Sequence, residues 1–86
     1  MAPRVAGGRL MLYEEAVRRL VYLRSRHPDI ADIHSILGQC YMQLDRLADA
    51  ETSFSKAIAI QPNHEEALNG LAYIYATKEE KRLCYS

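Results

Sequence analysis

The chain has 86 residues, with 11 basic side chains balanced by 11 acidic ones. A chain of this length forms one small domain, which buries only roughly 60% of the surface that its unfolded form exposes. No apolar run reaches the roughly 20 residues that cross a membrane, and the N-terminus lacks the apolar segment of a secretory signal.

The charges are unevenly distributed along the chain. Residues 1–30 contain six Arg and three acidic residues, whereas residues 31–66 contain six acidic residues and only Arg46 and Lys56 as bases. This asymmetry either steers one copy of the chain toward another or describes ordinary solvated faces. The neutral total disfavours nucleic acid as a partner, because phosphate contacts need a basic stripe.

Two cysteines do not make a disulfide framework. Cys40 lies at helical spacing among apolar residues, which predicts a buried thiol that behaves as a small hydrophobe. Unpaired thiols and the missing signal segment together favour a cytoplasmic location.

The first element in chain order is a leader followed by a helix. Residues 1–9 contain Pro3 and a Gly-Gly pair without apolar periodicity, which predicts a flexible leader. From residue 10 to residue 26, apolar side chains recur at intervals of three and four, so we expect a helix there. It ends before Pro28, because the residue before a proline avoids helical angles.

Three further helices are predicted over residues 31–44, 47–60 and 65–77, and strict alternation typical of strands is missing throughout. Asp29 is placed to cap the second helix. Asn63 and Glu66 have the spacing of a capping box for the fourth. Residues 78–86 predict a charged tail or a short helix. The sequence therefore indicates an all-α domain of about four helices.

A pattern of apolar and small residues repeats along these helices every 34 positions. Stepping back from residues 31–64 by 34 places Phe54 over Leu20, and stepping forward places Tyr41 over Tyr75. A recurrence in both directions is typical of helical repeats, in which each unit buries its apolar face against its neighbours. The full pattern consists of His34, Leu37, Gly38, Tyr41, Ala50, Phe54, Ala57 and Pro62.

This pattern resembles the tetratricopeptide repeat family, with His34 in place of the leading Trp of the family motif. The resemblance covers one complete repeat, residues 31–64, and half a repeat on either side. It implies antiparallel helix pairs stacked into a right-handed superhelix, and a concave surface that binds peptides. On this basis the helical repeat domain spans residues 10–77.

Nothing in the sequence indicates catalysis, a cofactor or a metal. The three histidines lack a second His or Cys at metal-ligand spacing. Adjacent Glu pairs point in different directions on a helix. His34 is expected to be a packed, hydrogen-bonded residue at the edge of the core. We therefore expect a protein that is not an enzyme.

The resemblance places a peptide-binding surface on the first helix of each pair, away from the pattern residues. An ordinary solvated helix face is the alternative. The surface contains acids and no base, which argues against the acidic C-terminal tails that some members of the family bind. The expected positions are Asp32, Ser35, Ile36, Gln39, Met42, Gln43, Glu66, Asn69, Gly70 and Tyr73.

Three hypotheses for function follow. The first is a protein-interaction module that binds a peptide or helix of a partner, in its sharper form a small chaperone or assembly adaptor. The second is a structural piece of a longer repeat scaffold. The third, RNA binding by a pentatricopeptide-type array, is disfavoured by the 34-residue period and the neutral charge.

The ends of the array suggest association. The first helix lacks a preceding partner helix, and the fourth is expected to leave apolar residues unshielded. We therefore expect a homodimer, for which two-fold symmetry is favoured, or an obligate complex with another protein. The unshielded residues expected on the fourth helix are Leu68, Leu71, Ile74 and Tyr75.

Overall fold

A computed structural model describes residues 2–85 of the chain, and the side chains of residues 11–83. This part of the chain forms four α-helices and contains no strand, which confirms the all-α prediction. The helices are α1 (Ala2–Arg26), α2 (Ala31–Gln43), α3 (Leu47–Ile60) and α4 (Glu65–Tyr85).

The helices follow one another as packed neighbours joined by short turns. The most extensive packing joins α2 and α3, which form the complete repeat; α1 packs on α2, and α4 packs on α3. Helix α4 also contacts α2 along a smaller area. The turn between α2 and α3 is made possible by Asp45, whose φ of 60° lies in the left-handed region that Asp tolerates better than most residues.

The core lies between the complete repeat and the two flanking helices. Seven of the eight pattern residues are buried, and only Pro62, in the turn before α4, is exposed. Cys40 is buried as predicted, and burial raises the pKa of its thiol. The buried apolar residues are Val17, Ala31, Leu37, Cys40, Tyr41, Ala50, Phe54, Ala57, Ala67 and Ile74.

The ring of Phe54 is the centre of this core, because three helices meet on it. A Cβ atom added to Gly38 of α2 would lie 2.7 Å from the ring, and one added to Gly70 of α4 would lie closer still. Both glycines therefore allow a helix backbone to approach the ring directly, which a larger residue would prevent. Gly38 is therefore the small residue at a close crossing of two helices.

Helix α1 is longer than predicted, because it begins at Ala2 and includes residues 2–9 of the expected flexible leader, whereas residue 1 lies outside the described residues. Pro3 lies in the first turn of the helix, where a missing N–H costs nothing. Once the helix exists from residue 10 onward, each added residue gains a hydrogen bond without a new nucleation step. This propagation accommodates the two glycines that argued against a helix.

Helix α4 also extends beyond its predicted end at residue 77 and continues to Tyr85. Residues 78–82 are all Lys, Glu or Arg, which are good helix formers, and no Gly or Pro interrupts them. Lys78 pairs with Glu51 of α3, and Arg82 pairs with Glu79 one turn earlier. The charged run is therefore part of the helix. The division of the chain into a leader, a repeat domain and a tail stays a prediction.

Both predicted helix caps are wrong. Helix α2 begins after Ile30, which makes no side-chain capping bond, so Asp29 does not cap it. At the start of α4 the cap is His64, whose Nδ1 accepts a hydrogen bond from the backbone N–H of Ala67 at 3.2 Å. Asn63 precedes the capping position by one residue.

Candidate peptide-binding groove

One narrow stripe of α2 is exposed, and the rest of the helix is covered by its neighbours. The exposed positions recur at intervals of three and four residues, as one face of a helix requires. Ser35 was predicted to line this face but is fully buried, and Met42 is half-buried. The exposed stripe consists of Asp32, Ile36, Gln39 and Gln43.

The corresponding stripe of α4 is formed by Glu66, Asn69 and Tyr73, all of which are exposed. Gly70 was also predicted to belong to the binding surface, but it is buried against the ring of Phe54. Ser35 and Gly70 therefore belong to the packing between helices. The remaining predicted residues form what we call the α2–α4 groove: Asp32, Ile36, Gln39, Met42, Gln43, Glu66, Asn69 and Tyr73.

A hydrogen bond joins the two helices of the groove at one end. Nε2 of His64, immediately before α4, lies 2.8 Å from Oδ1 of Asp32 in the first turn of α2. His64 is buried although it is a polar residue in a turn. The contact fixes the start of α4 beside the start of α2, and with it the spacing of the two exposed stripes.

The two bonds of His64 define its tautomer. Nδ1 accepts a hydrogen bond from Ala67, so it carries no proton, and Nε2 must carry the proton that it donates to Asp32. Sequence reasoning treated His64 as isolated. No local pattern signals the contact, because His64 and Asp32 lie 32 residues apart in different elements.

The electrostatics of the groove are acidic. Asp32 and Glu66 are exposed at the same end, and the described part of α2 contains no Lys or Arg. Lys78 of α4 is turned toward α3, where its ammonium binds the carboxylate of Glu51. This hydrogen bond from Lys78 holds the pKa of Glu51 below its ordinary value of 4.5, with a smaller contribution from the Tyr75 hydroxyl.

The groove combines apolar and amide groups. Tyr73 is 59% exposed and Ile36 is 44% exposed, so both offer apolar area to a ligand. The side-chain amides of Gln39, Gln43 and Asn69 each provide a donor and an acceptor that can pair with a peptide backbone. These groups can bind, but they do not form a nucleophile with a base. Among the described residues, no three metal-ligating side chains lie close enough together to hold an ion.

A depression of about 400 Å³ lies outside the groove, between the C-terminal ends of α1 and α3. Arg24, Lys56 and His34 are among its lining residues. His34 is buried, as predicted, and its Nε2 lies 3.0 Å from the backbone oxygen of Pro28. That bond holds the turn between α1 and α2, so the histidine is structural.

No helix in the described part of the chain is both long and apolar enough to cross a membrane.

No curated protein and no solved structure gives a significant match to the chain. The model of the tetratricopeptide repeat family matches residues 9–65, which comprise α2, α3 and most of α1. The match spans well over half of the chain and includes all the pattern residues that the structure buries. The chain belongs to the tetratricopeptide repeat family.

Proposed function

We propose that the chain binds an extended peptide segment of a partner protein in the α2–α4 groove, without catalysing a reaction on it. Tetratricopeptide repeats are in general protein–protein interaction modules, and the groove has the composition that such binding requires. The observation that carries the proposal is the exposure of Tyr73 and Ile36 on two helices in contact, each of which also carries exposed amide side chains.

The chemistry of the groove selects the ligand. Ile36 and Tyr73 favour an apolar side chain, and the amides of Gln39 and Asn69 favour the backbone of an extended peptide. The carboxylates of Asp32 and Glu66 repel an acidic tail and attract a basic residue at that end of the groove. The preferred ligand is therefore a neutral or basic peptide with an apolar anchor.

The test is a selection from a random peptide library displayed on phage, followed by affinity measurements on single variants. Tyr73→Ala should weaken the selected peptides about tenfold, the effect of losing roughly 1.4 kcal/mol at an aromatic contact. Tyr22→Ala is the matched control, because Tyr22 on α1 is 60% exposed but lies outside the groove. Both variants should keep the melting temperature of the parent chain.

Three results would contradict the proposal. The library could yield no binder, the selected peptides could be predominantly acidic, or Tyr22→Ala could weaken binding as much as Tyr73→Ala. Gln39→Lys adds a sharper criterion, since a base in the groove should shift the selected peptides toward acidic sequences. Asn69→Ala should weaken binding without destabilising the fold.

Among protein-interaction modules, we propose more specifically a small chaperone or assembly adaptor. A cytoplasmic location stays a prediction. A second candidate is a structural segment of a longer repeat scaffold. It is supported by the exposed apolar residues on α1 and α4, such as Leu12 and Tyr75, which further repeats would cover. The two candidates use different surfaces and are therefore compatible.

A further inference from the structure

We propose that the chain assembles head to tail with copies of itself, through a composite repeat built from α4 of one copy and α1 of the next. This goes beyond peptide binding and uses neither helix face of the α2–α4 groove. The template for the interface is within the chain, because α4 corresponds to α2 and α1 corresponds to α3 under the 34-residue repeat.

The face of α4 that corresponds to the α3-facing side of α2 is uncovered. Tyr41 of α2 is 9% exposed, whereas its equivalent Tyr75 is 52% exposed. Gly38 is buried, whereas its equivalent Ala72 is exposed. Ile74, which was expected to be unshielded, is buried against the core instead. We call the α4 outer face the exposed residues of this side together with one half-buried leucine, Leu71, that packs against the core: Leu68, Leu71, Ala72 and Tyr75.

Helix α1 presents the complementary half of the repeat. Ala57 of α3 is fully buried under α2, whereas its equivalent Leu23 is 41% exposed. Leu12, the equivalent of Arg46, is also exposed. In the complete repeat the Arg46 guanidinium lies 5.0 Å from the centre of the Tyr41 ring, so Leu12 is placed to cover Tyr75 of another copy. We call these residues the α1 outer face: Leu12, Ala16, Arg19 and Leu23.

The charges along the two faces match in the antiparallel arrangement of the template. The start of α4, with Glu65, is then adjacent to the end of α1, with Arg24 and Arg26. This charge complementarity supports a second copy of the chain as the partner. The correspondence of α4 with α2 and of α1 with α3 under the 34-residue repeat favours the head-to-tail arrangement over a two-fold pairing of α4 with α4.

A head-to-tail interface leaves one free face at each end, so copies add without a closed limit. Sedimentation equilibrium of the chain should therefore give an average mass that keeps rising with concentration through the micromolar range. A plateau at twice the chain mass would instead indicate a closed two-fold dimer, and a constant mass of 9.8 kDa would indicate a monomer. Either of these results would overturn the proposal.

Two single variants separate the faces. Leu23→Glu blocks the α1 outer face and Ala72→Glu blocks the α4 outer face at the closest helix crossing, so each variant alone should be monomeric. In an equimolar mixture, the intact α4 face of the first and the intact α1 face of the second should form a 1:1 complex and nothing larger. Persistent self-association of either variant, or no complex in the mixture, would contradict the head-to-tail arrangement.

The control is Ile36→Glu, which places the same charge at a comparably exposed apolar residue, 44% against 41% for Leu23, but inside the groove. It should assemble as the parent chain does. Circular dichroism confirms that each variant remains helical. Loss of assembly in Ile36→Glu as well would show that assembly uses the groove, and the proposal would fail while peptide binding could still be tested on monomers.

Discussion

Helices α2 and α4 carry the same residue pattern 34 positions apart, yet they have different surroundings. In α2, Leu37 and Tyr41 are buried under α3, whereas in α4 the equivalent Leu71 is half-buried and Tyr75 is exposed. The pattern thus specifies which face of a helix can pack against a neighbouring helix. Whether that face is buried depends on a following helix, as expected for repeats that contact only their neighbours.

The two helices also end differently. Helix α2 stops at Gln43, and Asp45 adopts a left-handed conformation that turns the chain back into α3. At the equivalent position α4 has Glu79, within a run of good helix formers, and the helix continues. The two helices thus differ at the position after the repeat pattern, where Asp45 ends α2 with a turn and Glu79 continues α4.

The largest expected effect is at Phe54 of α3, whose ring contacts both α2 and α4. Phe54→Ala should lower the free energy of unfolding by about 3–5 kcal/mol, because the ring is fully buried between both helices. Urea denaturation measures this change. Leu20→Ala, at the equivalent half-buried position of α1, should cost less than about 2 kcal/mol. Equal costs at the two positions would show that the complete repeat is no better packed than the half repeat.

The glycine at the crossing gives the sharpest contrast between α2 and α4. Alanine normally stabilises a helix relative to glycine by about 1 kcal/mol. Gly38→Ala should instead destabilise the protein by about 1–3 kcal/mol, because its Cβ would lie 2.7 Å from the Phe54 ring. At the equivalent exposed position, Ala72→Gly should lower the free energy of unfolding only by the ordinary difference in helix propensity between alanine and glycine. Stabilisation by Gly38→Ala, measured by thermal unfolding, would refute the close crossing.

The starts of α2 and α4 differ, because only α4 has a side-chain cap, His64. His64→Ala would remove this difference. Losing the bonds to Ala67 and Asp32 should cost about 1–2 kcal/mol. Ile30 occupies the equivalent position before α2 and provides no side-chain cap. Ile30→Asn should therefore add a cap and gain about 0.5 kcal/mol. Native-state hydrogen exchange in the first turns of α2 and α4 measures both effects, and unchanged exchange in His64→Ala would contradict the assigned cap.

The smallest expected effect is the pH dependence contributed by Glu51. Its pKa is lower in the folded chain than its ordinary value, so the ionised carboxylate favours folding. This contribution is present above pH 4.5 and is lost as the pH falls through the lowered folded-state pKa. The difference in melting temperature between the parent chain and Glu51→Gln should therefore shrink between neutral pH and acid. Glu80→Gln is the control, and a difference that grew in acid would contradict the assignment.

Much of the fold could be predicted from the sequence because packing repeats with a fixed period. Leu37, Phe54 and Ala57 are buried as their spacing indicates, since each position has a structural equivalent that constrains it. The helix ends could not be predicted in this way. Pro3 and the charged run after Thr77 have local preferences compatible with either helix or tail, and continuation of an existing helix decided between them.

The exposed faces of α2 and α4 were predictable in outline but not residue by residue, and peptide binding there stays a prediction. The exposed stripe containing Ile36 and Tyr73 follows from the period of the helix. Ser35 and Gly70 were misplaced because both are buried. At Gly70 the backbone of α4 approaches the Phe54 ring directly, and this closeness depends on the missing Cβ. The bond between His64 and Asp32 joins two helices, so no local pattern reports it.

The most direct test of the binding account is to map a selected peptide onto the chain by nuclear magnetic resonance. The titration uses uniformly ¹⁵N-labelled Ala72→Glu protein, which we expect to be monomeric. The peptide should perturb the side-chain amides of Gln39 and Asn69 and the backbone around Ile36 and Tyr73. Residues of the two outer faces, such as Leu12 and Leu68, should remain unperturbed. Perturbations confined to those outer faces, with the α2–α4 groove unchanged, would contradict the claim that the groove binds the partner.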